Sequence, residues 1–225
     1  MVKKLVWILL LALMIAGSAS AEFDYRKIGV GLKTGFAVSN VDFYPDRNFS
    51  RNGFVIGVVA DYPLQSYLNI QTDFLIAAKG FDGPDTTYTF TWTDPLTKKF
   101  QSQTDSASWS TMVWYFEIPV TAKFTIIPRG KYRPYITGGG FWALPVNKKQ
   151  RFSAISLTFD TGLENVRKFD WGVSLGTGID IKAGRGWLNF DVRYDLSTQS
   201  LLKNTDYYSR AWLFRVGYRR PLGAF

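Results

Sequence analysis

Residues 111–127 read TMVWYFEIPVTAKFTII, and taking every second residue splits the run in two. Met112, Trp114, Phe116, Ile118, Val120, Ala122 and Phe124 fall on one face. Val113, Tyr115, Glu117, Pro119, Thr121 and Lys123 fall on the other. An extended strand separates these sets because its side chains alternate between faces. The apolar set and the charged set therefore meet different surroundings, since an unpaired charge left in low dielectric is very costly.

The same alternation recurs seven more times. Residues 28–38 set Ile28, Val30, Leu32, Phe36 and Val38 against Lys33 and three glycines. Residues 53–62 set Phe54, Ile56, Val58, Ala60 and Tyr62 against Asp61, and residues 67–79 set Leu68, Ile70, Phe74 and Ile76 against Asp73 and Lys79. A segment over residues 132–143 runs through Gly138, Gly139 and Gly140, with its inner and outer faces undecided. Residues 169–182 place Asp170, Asp180 and Lys182 opposite Trp171, Val173, Leu175 and Ile179. Residues 188–196 place Asp191, Arg193 and Asp195 opposite Phe190, Val192 and Tyr194. Residues 208–219 place Arg215 and Arg219 opposite Trp212, Phe214, Val216 and Tyr218. Connections alternate in length. Short turns follow the second, fourth and sixth segments, and long polar loops follow the first, third, fifth and seventh, over residues 39–52, 80–108, 144–168 and 197–206. All long loops then open at one end, which predicts an all-β chain folded as an eight-stranded antiparallel up-and-down transmembrane β-barrel.

A soluble lipocalin-like barrel would turn its apolar face inward around a ligand, whereas a membrane barrel turns it outward to lipid. The glycines favour the second. Gly31, Gly35, Gly57, Gly172, Gly176 and Gly178 share the charged face, where they leave room for ionic side chains inside a narrow barrel. Charges of both signs balance on that face: Lys33, Lys79, Lys123, Arg193 and Arg215 against Asp61, Asp73, Glu117, Asp170, Asp180, Asp191 and Asp195, with Lys182 and Arg219 as further cations. A paired lumen network is the expected result. Tyr62, Phe124, Trp171, Tyr194, Trp212 and Tyr218 lie near segment ends and suit the aromatic girdles of a bilayer-spanning barrel. Pro119 lacks a ladder donor in a strand paired on both sides, which predicts a β-bulge there or a lumen group replacing the missing N–H. About eight strands leave an interior that side chains fill, so a wide aqueous pore is not expected.

The first residues set the compartment. Met1-Val-Lys-Lys is basic, residues 5–16 are apolar, and Ala19-Ser20-Ala21 is a small-residue cleavage site, the pattern of a secretory signal peptide over residues 1–21. A transmembrane helix would need about 20 apolar residues, and this run is shorter. Residues 22–225 then form the barrel domain. With no cysteine, the chain has neither a lipidation site nor disulfides. The net charge of +9 falls to +7 once Lys3 and Lys4 leave. In an exported protein this balance suits anionic lipid headgroups or simple solubility and excludes nucleic acid as the expected partner.

The chain has no histidine, which removes triad and His–Asp hydrolysis, and no cysteine, which removes thiol nucleophiles and common zinc sites. No enzyme activity, cofactor or metal is expected. Asp191 and Asp195 read as lumen ion-pairing groups, and the loop acids Asp82, Asp85 and Asp94 lack calcium-loop spacing. Residues 88–103 read as a hairpin extending the third and fourth strands beyond the membrane, with Tyr88, Phe90 and Trp92 as a candidate contact site or as packing against neighbouring loops. Lys148, Lys149 and Arg151 form a basic run suited to lipopolysaccharide phosphates or to plain solvation.

Tyr115-Phe-Glu-Ile-Pro-Val-Thr-Ala-Lys-Phe resembles the YxEIPxxxK strand of the PorT-like outer-membrane β-barrel family. Pro134-Tyr-Ile-Thr-Gly-Gly-Gly, residues 169–180 (FDWGVSLGTGID) and Val192-Arg-Tyr-Asp-Leu are similar to the next three strands of that family. The resemblance implies an eight-stranded outer-membrane barrel without catalytic residues, one branch of which serves protein secretion. Three readings follow: a structural or accessory barrel with secretion or envelope proteins as partners, a small-solute pore, and a soluble periplasmic binder. The C-terminus departs from the usual terminal aromatic, because Phe225 is out of phase with Trp212, Phe214, Val216 and Tyr218.

Overall fold

The computed structural model describes residues 24–41, 50–83, 86–93, 98–154, 157–162, 167–200 and 208–224. The expected cleavage residues Ala19 and Ala21, the loop acids Asp85 and Asp94, and Phe225 lie outside them. The strands are β1 (Gly29–Val41), β2 (Arg51–Pro63), β3 (Leu68–Asp82), β4 (Thr86–Thr93), β5 (Phe100–Thr125), β6 (Tyr132–Ala154), β7 (Leu157–Gly162), β8 (Asp170–Ala183), β9 (Gly186–Ser200) and β10 (Tyr208–Pro221). Eight of them close a ring in the order β1-β2-β3-β5-β6-β8-β9-β10, in which β1 pairs with β10 and every pairing is antiparallel. Closure leaves no sheet edge within the membrane, the condition for strands to cross a bilayer.

The wall sorts side chains as the alternation requires. Leu32 is 67% exposed and Leu175 53%, while Leu213 and Glu117 on the inner face are both 0% exposed. An outer face this apolar is the inverse of a lipocalin and belongs in lipid. The undecided fifth segment resolves as part of β6: Tyr135, Phe141 and Ala143 point inward, and Ile136, Trp142 and Leu144 outward. Outside, Trp142 lies opposite Trp171, and the Tyr194 and Trp212 rings lie 4.5 Å apart toward the long-loop end. Tyr67 and Phe124 meet at 5.5 Å toward the short-turn end. Gly184, at φ +57, allows the two-residue turn between β8 and β9, a backbone region that side chains with a Cβ enter at a cost.

Two expectations are corrected. No bulge forms at Pro119: the β5–β6 ladder runs through it opposite Phe141, and the register shift lies instead between Trp114 and Tyr115. Toward β3 the ladder pairs Leu75 with Glu117 and Thr72 with Val120, skipping the two residues between without changing register. The missing N–H is thus absorbed by a local gap in one ladder while the other holds the strand straight.

Residues 144–168 are also not simply a loop, whereas within residues 80–108 the expected hairpin forms. β3 continues to Asp82, β6 to Ala154, and β4 and β7 pair with the outer ends of β5 and β6. At about 3.3 Å per residue the 26 residues of β5 reach roughly 86 Å, far beyond a hydrocarbon core of about 30 Å. A four-stranded sheet β4-β5-β6-β7 therefore stands above the barrel on the long-loop side, built from Thr-rich and aromatic sequence that favours strands even in water.

Candidate functional site: a closed, charge-filled lumen

Within the ring, the inward positions of neighbouring strands stack into tiers. Nearest the short turns, Arg219 on β10 is ion-paired with both Asp61 and Asp180. The Lys123 ammonium donates to Asp180 at 2.6 Å and lies 3.9 Å from the Tyr135 ring centroid. Asn189 donates to Asp180 at 2.8 Å and to the Tyr135 hydroxyl, and Asn69 donates to Asp61 at 2.9 Å. In the middle tier Arg215 spans Asp191 (2.6 Å) and Asp73 (2.9 Å), and Lys33 donates to Asp191 at 2.9 Å. Toward the long-loop end Lys79 spans Glu117 (2.6 Å) and Asp195 (3.1 Å), while Arg193 pairs with Glu117 and, at 2.9 Å, with Asp195. Arg193 also lies 3.8 Å from Asp73, which joins this tier to the middle one.

The buried charged residues comprise Lys33, Lys79, Lys123, Arg193, Arg215 and Arg219 against Asp61, Asp73, Glu117, Asp180, Asp191 and Asp195. Equal numbers of each sign let every buried charge find a counter-charge, which low dielectric demands. Two sequence-expected members fall outside this set. Asp170 accepts from Ser197 at 2.6 Å and has no cation within ion-pair distance among the described residues, because it starts β8 at the long-loop mouth. Lys182 is exposed at the opposite mouth, 4.8 Å from the Trp187 ring centroid.

Sequence reasoning placed Val113 and Tyr115 on the inner face but did not pick out the apolar clusters that form there. Phe81, Val113, Tyr115, Phe141 and Ala143 form a buried cluster toward the long-loop mouth, with Val41 and Trp109 packed on it. A second cluster, Ala37, Val55, Leu75, Ala77, Ala211 and Leu213, lines the wall formed by β1, β2, β3 and β10. The parity of Phe81, Tyr115 and Phe141 was the available signal. Glycine makes the space for two of the rings. A Cβ on Gly172 would lie 2.7 Å from the Phe141 ring, and one on Gly178 would lie 2.5 Å from the Tyr135 hydroxyl, each glycine standing opposite its ring across the β6–β8 ladder.

The two candidate loop sites belong to the sheet above the barrel. Tyr88, Phe90 and Trp92 occupy alternate positions of β4, opposite Asp105, Gln103 and Gln101 of β5. Lys148, Lys149 and Arg151 lie in β6, and the side chains of Lys149 and Arg151 are exposed. The two groups thus sit on separate strands with β5 between them. At the base of this sheet Arg51 pairs with Asp82 at 2.8 Å, and the Ser39 hydroxyl accepts from Gly80 N–H and donates to its carbonyl, tying β1 to β3.

The family model of the outer membrane protein beta-barrel domain matches residues 16–203. The chain belongs to this family. Its place is accordingly the outer membrane, with the short turns facing the periplasm and the β4–β7 sheet facing outward. Among solved structures it is similar to the attachment invasion locus protein Ail of Yersinia pestis at 14% identity, over 85% of this chain and 97% of that one, with a TM-score of 0.38. It is similar to Neisserial surface protein A at 13% identity, over 87% and 97%, with a TM-score of 0.46. Likeness to OprG of Pseudomonas aeruginosa is at 12% identity, over 85% and 95%, with a TM-score of 0.41. No curated protein matches the chain.

Proposed function

We propose that this outer-membrane barrel is a non-enzymatic structural or accessory component that works through its two ends rather than through its lumen. The observation carrying this reading is the interior itself: three tiers of mutually paired charges with the Phe81–Tyr115–Phe141 cluster above them. Moving a solute through would mean parting buried ion pairs, each costing several kcal/mol when one partner is lost. The lack of histidine and cysteine supports the non-enzymatic part.

The EIP strand over residues 115–124 supports placing the chain near the PorT-like branch and supports secretion or other envelope proteins as partners of the outer sheet, with Tyr88, Phe90 and Trp92 as the proposed contact strand. Lys149 and Arg151, exposed on neighbouring β6, would face lipopolysaccharide phosphates. Residues 1–21 are proposed to be removed on export, so the mature chain begins at Glu22, which N-terminal sequencing of outer-membrane material checks.

Planar-bilayer recording of the purified protein tests the closed lumen. The expected trace is flat, and a large, stable conductance would instead support the small-solute pore. Pull-down through a tag in the 80–108 region, from detergent-solubilised outer membranes, tests the accessory role. Stoichiometric protein partners are expected, and recovery of the barrel with lipid alone would refute it.

A further inference from the structure

The short-turn mouth of the lumen departs from the pairing that the tiers above it obey. Every buried lumen cation there has an acid, but Lys131, Arg133 and Lys182 have no carboxylate within ion-pair distance among the described residues. Their places follow from the ladders. Arg133 stands opposite Asp180 and Lys182 opposite Trp187, and Arg133, Lys182 and Trp187 share the inward parity of Tyr135, Asp180 and Asn189. They therefore continue the lumen toward the periplasm instead of facing lipid. The acids nearest to them are engaged already, Asp61 and Asp180 with Arg219, and Asp180 with Lys123 as well.

Trp187 holds two of these cations without neutralising them. The Arg133 and Lys182 charges lie 4.0 and 4.8 Å from its ring centroid. The Lys182 N–H donates to the Lys131 carbonyl at 2.8 Å, fixing the β5–β6 turn beside the end of β8, and the Arg133 Nε has no hydrogen-bond partner. Two hollows meet at Arg133 and Trp187. One, of about 500 Å³, is completed by Gly130, Lys131 and Lys182. The other, of about 370 Å³, reaches across the mouth to Gln65 and Ser66 of the β2–β3 turn, with Asp61, Asn69 and Arg219 in its wall. The pairs of Arg219 with Asp61 and Asp180 close the lumen above them, which leaves a blind, positively charged recess facing the periplasm.

Charge and shape select the occupant. Cations of one sign in a concave, low-dielectric site concentrate anions from the water outside. A lone oxyanion would fill only a small part of the recess, and the exposed Gln65 and Ser66 on its far side offer uncharged donors and acceptors suited to a peptide backbone. We propose that this mouth docks an acidic peptide segment of a soluble periplasmic partner. A carboxylate of that segment meets Arg133, with Lys131 and Lys182 beside it, and the flanking backbone lies toward Gln65 and Ser66. The site is at the opposite end of the barrel from the proposed outer-sheet contacts and does not depend on them.

The test is isothermal titration of the full mature protein in neutral detergent with a blocked, glutamate-rich hexapeptide and with its glutamine counterpart. The acidic peptide is expected to bind at one site, and the glutamine peptide roughly tenfold more weakly or not at all. The double variant Arg133→Gln, Lys182→Gln should weaken acidic-peptide binding by roughly tenfold. Lys98→Gln with Lys99→Gln removes the same charge on the outer side, where both lysines are exposed, and should leave binding unchanged. Heat-dependent gel mobility verifies that each variant is folded; if the mouth variant is not, Lys131→Gln with Lys182→Gln, both exposed, takes its place with the same expected direction. Equal binding of the two peptides, or a folded mouth variant that keeps the preference, overturns the proposal. An equal loss in the outer-side variant also overturns it, by identifying general charge attraction, as does complete displacement by millimolar inorganic phosphate, by identifying a small-oxyanion site.

Discussion

Lys123 and Lys131 flank one periplasmic turn, and the barrel treats them in opposite ways. Lys123 is 1% exposed and is held by Asp180 at 2.6 Å, whereas Lys131 is exposed, lies 5.7 Å from the Tyr132 ring centroid and has no carboxylate within ion-pair distance among the described residues. The same contrast separates the lumen as a whole from the rim. A charge taken out of water has to be matched inside the protein, and the six lumen cations are each matched to an acid. A charge left at the membrane surface keeps its water and is free to meet a ligand, so the mature chain's excess of positive charge accumulates there.

The most direct way to break the comparison is to remove a lumen partner. Glu117→Ala should cost about 3–5 kcal/mol, because Lys79 and Arg193 would both lose a buried partner. Urea-dependent folding into lipid vesicles measures it, and a loss below about 1 kcal/mol would mean that water reaches that tier. Leu213→Ala follows at about 2–4 kcal/mol, since a fully buried side chain would leave a void in the second apolar cluster. Gly178→Val should cost about 1–3 kcal/mol, because a side chain there runs into the Phe190 carbonyl oxygen as well as the Tyr135 hydroxyl, and Tyr135→Ala in the same chain should relieve only the second contact. Smallest of all, Lys131→Gln at the rim should change stability by less than about 0.5 kcal/mol. Salt sharpens the contrast. Raising ionic strength to about 1 M shortens screening to about 3 Å and should move unfolding of the barrel little, because its pairs are buried.

Much of the barrel was legible because period-two alternation leaves few choices once a charge appears on one face. Glu117 and Lys123 are inside for that reason, and Trp114, Phe116 and Ile118 outside. What escaped has equally physical causes. Trp187 continues the inward parity of Asn189 and Asp191, but it stands at the first turn of β9, where alternation is too short to read. The outer sheet escaped in part because polarity between apolar segments suggests loop, whereas backbone pairing of β4 with β5 and of β7 with β6 needs no apolar face. Pro119 was expected to distort its strand, yet the β5–β6 ladder runs through it and the β3–β5 register is the same on either side of the gap there.

The amino-acid order by itself determined the strands, the face each turns to lipid, and the balance of charge on the other face, since these depend only on residues two apart. Which charges meet was decided by closure of the ring. Arg215 reaches Asp73, 142 residues away, and Arg219 reaches Asp61 at a separation of 158, because β10 returns to pair with β1 and brings both arginines across the lumen to β2 and β3. Strand register sets those distances, and register exists only once the ladder has closed.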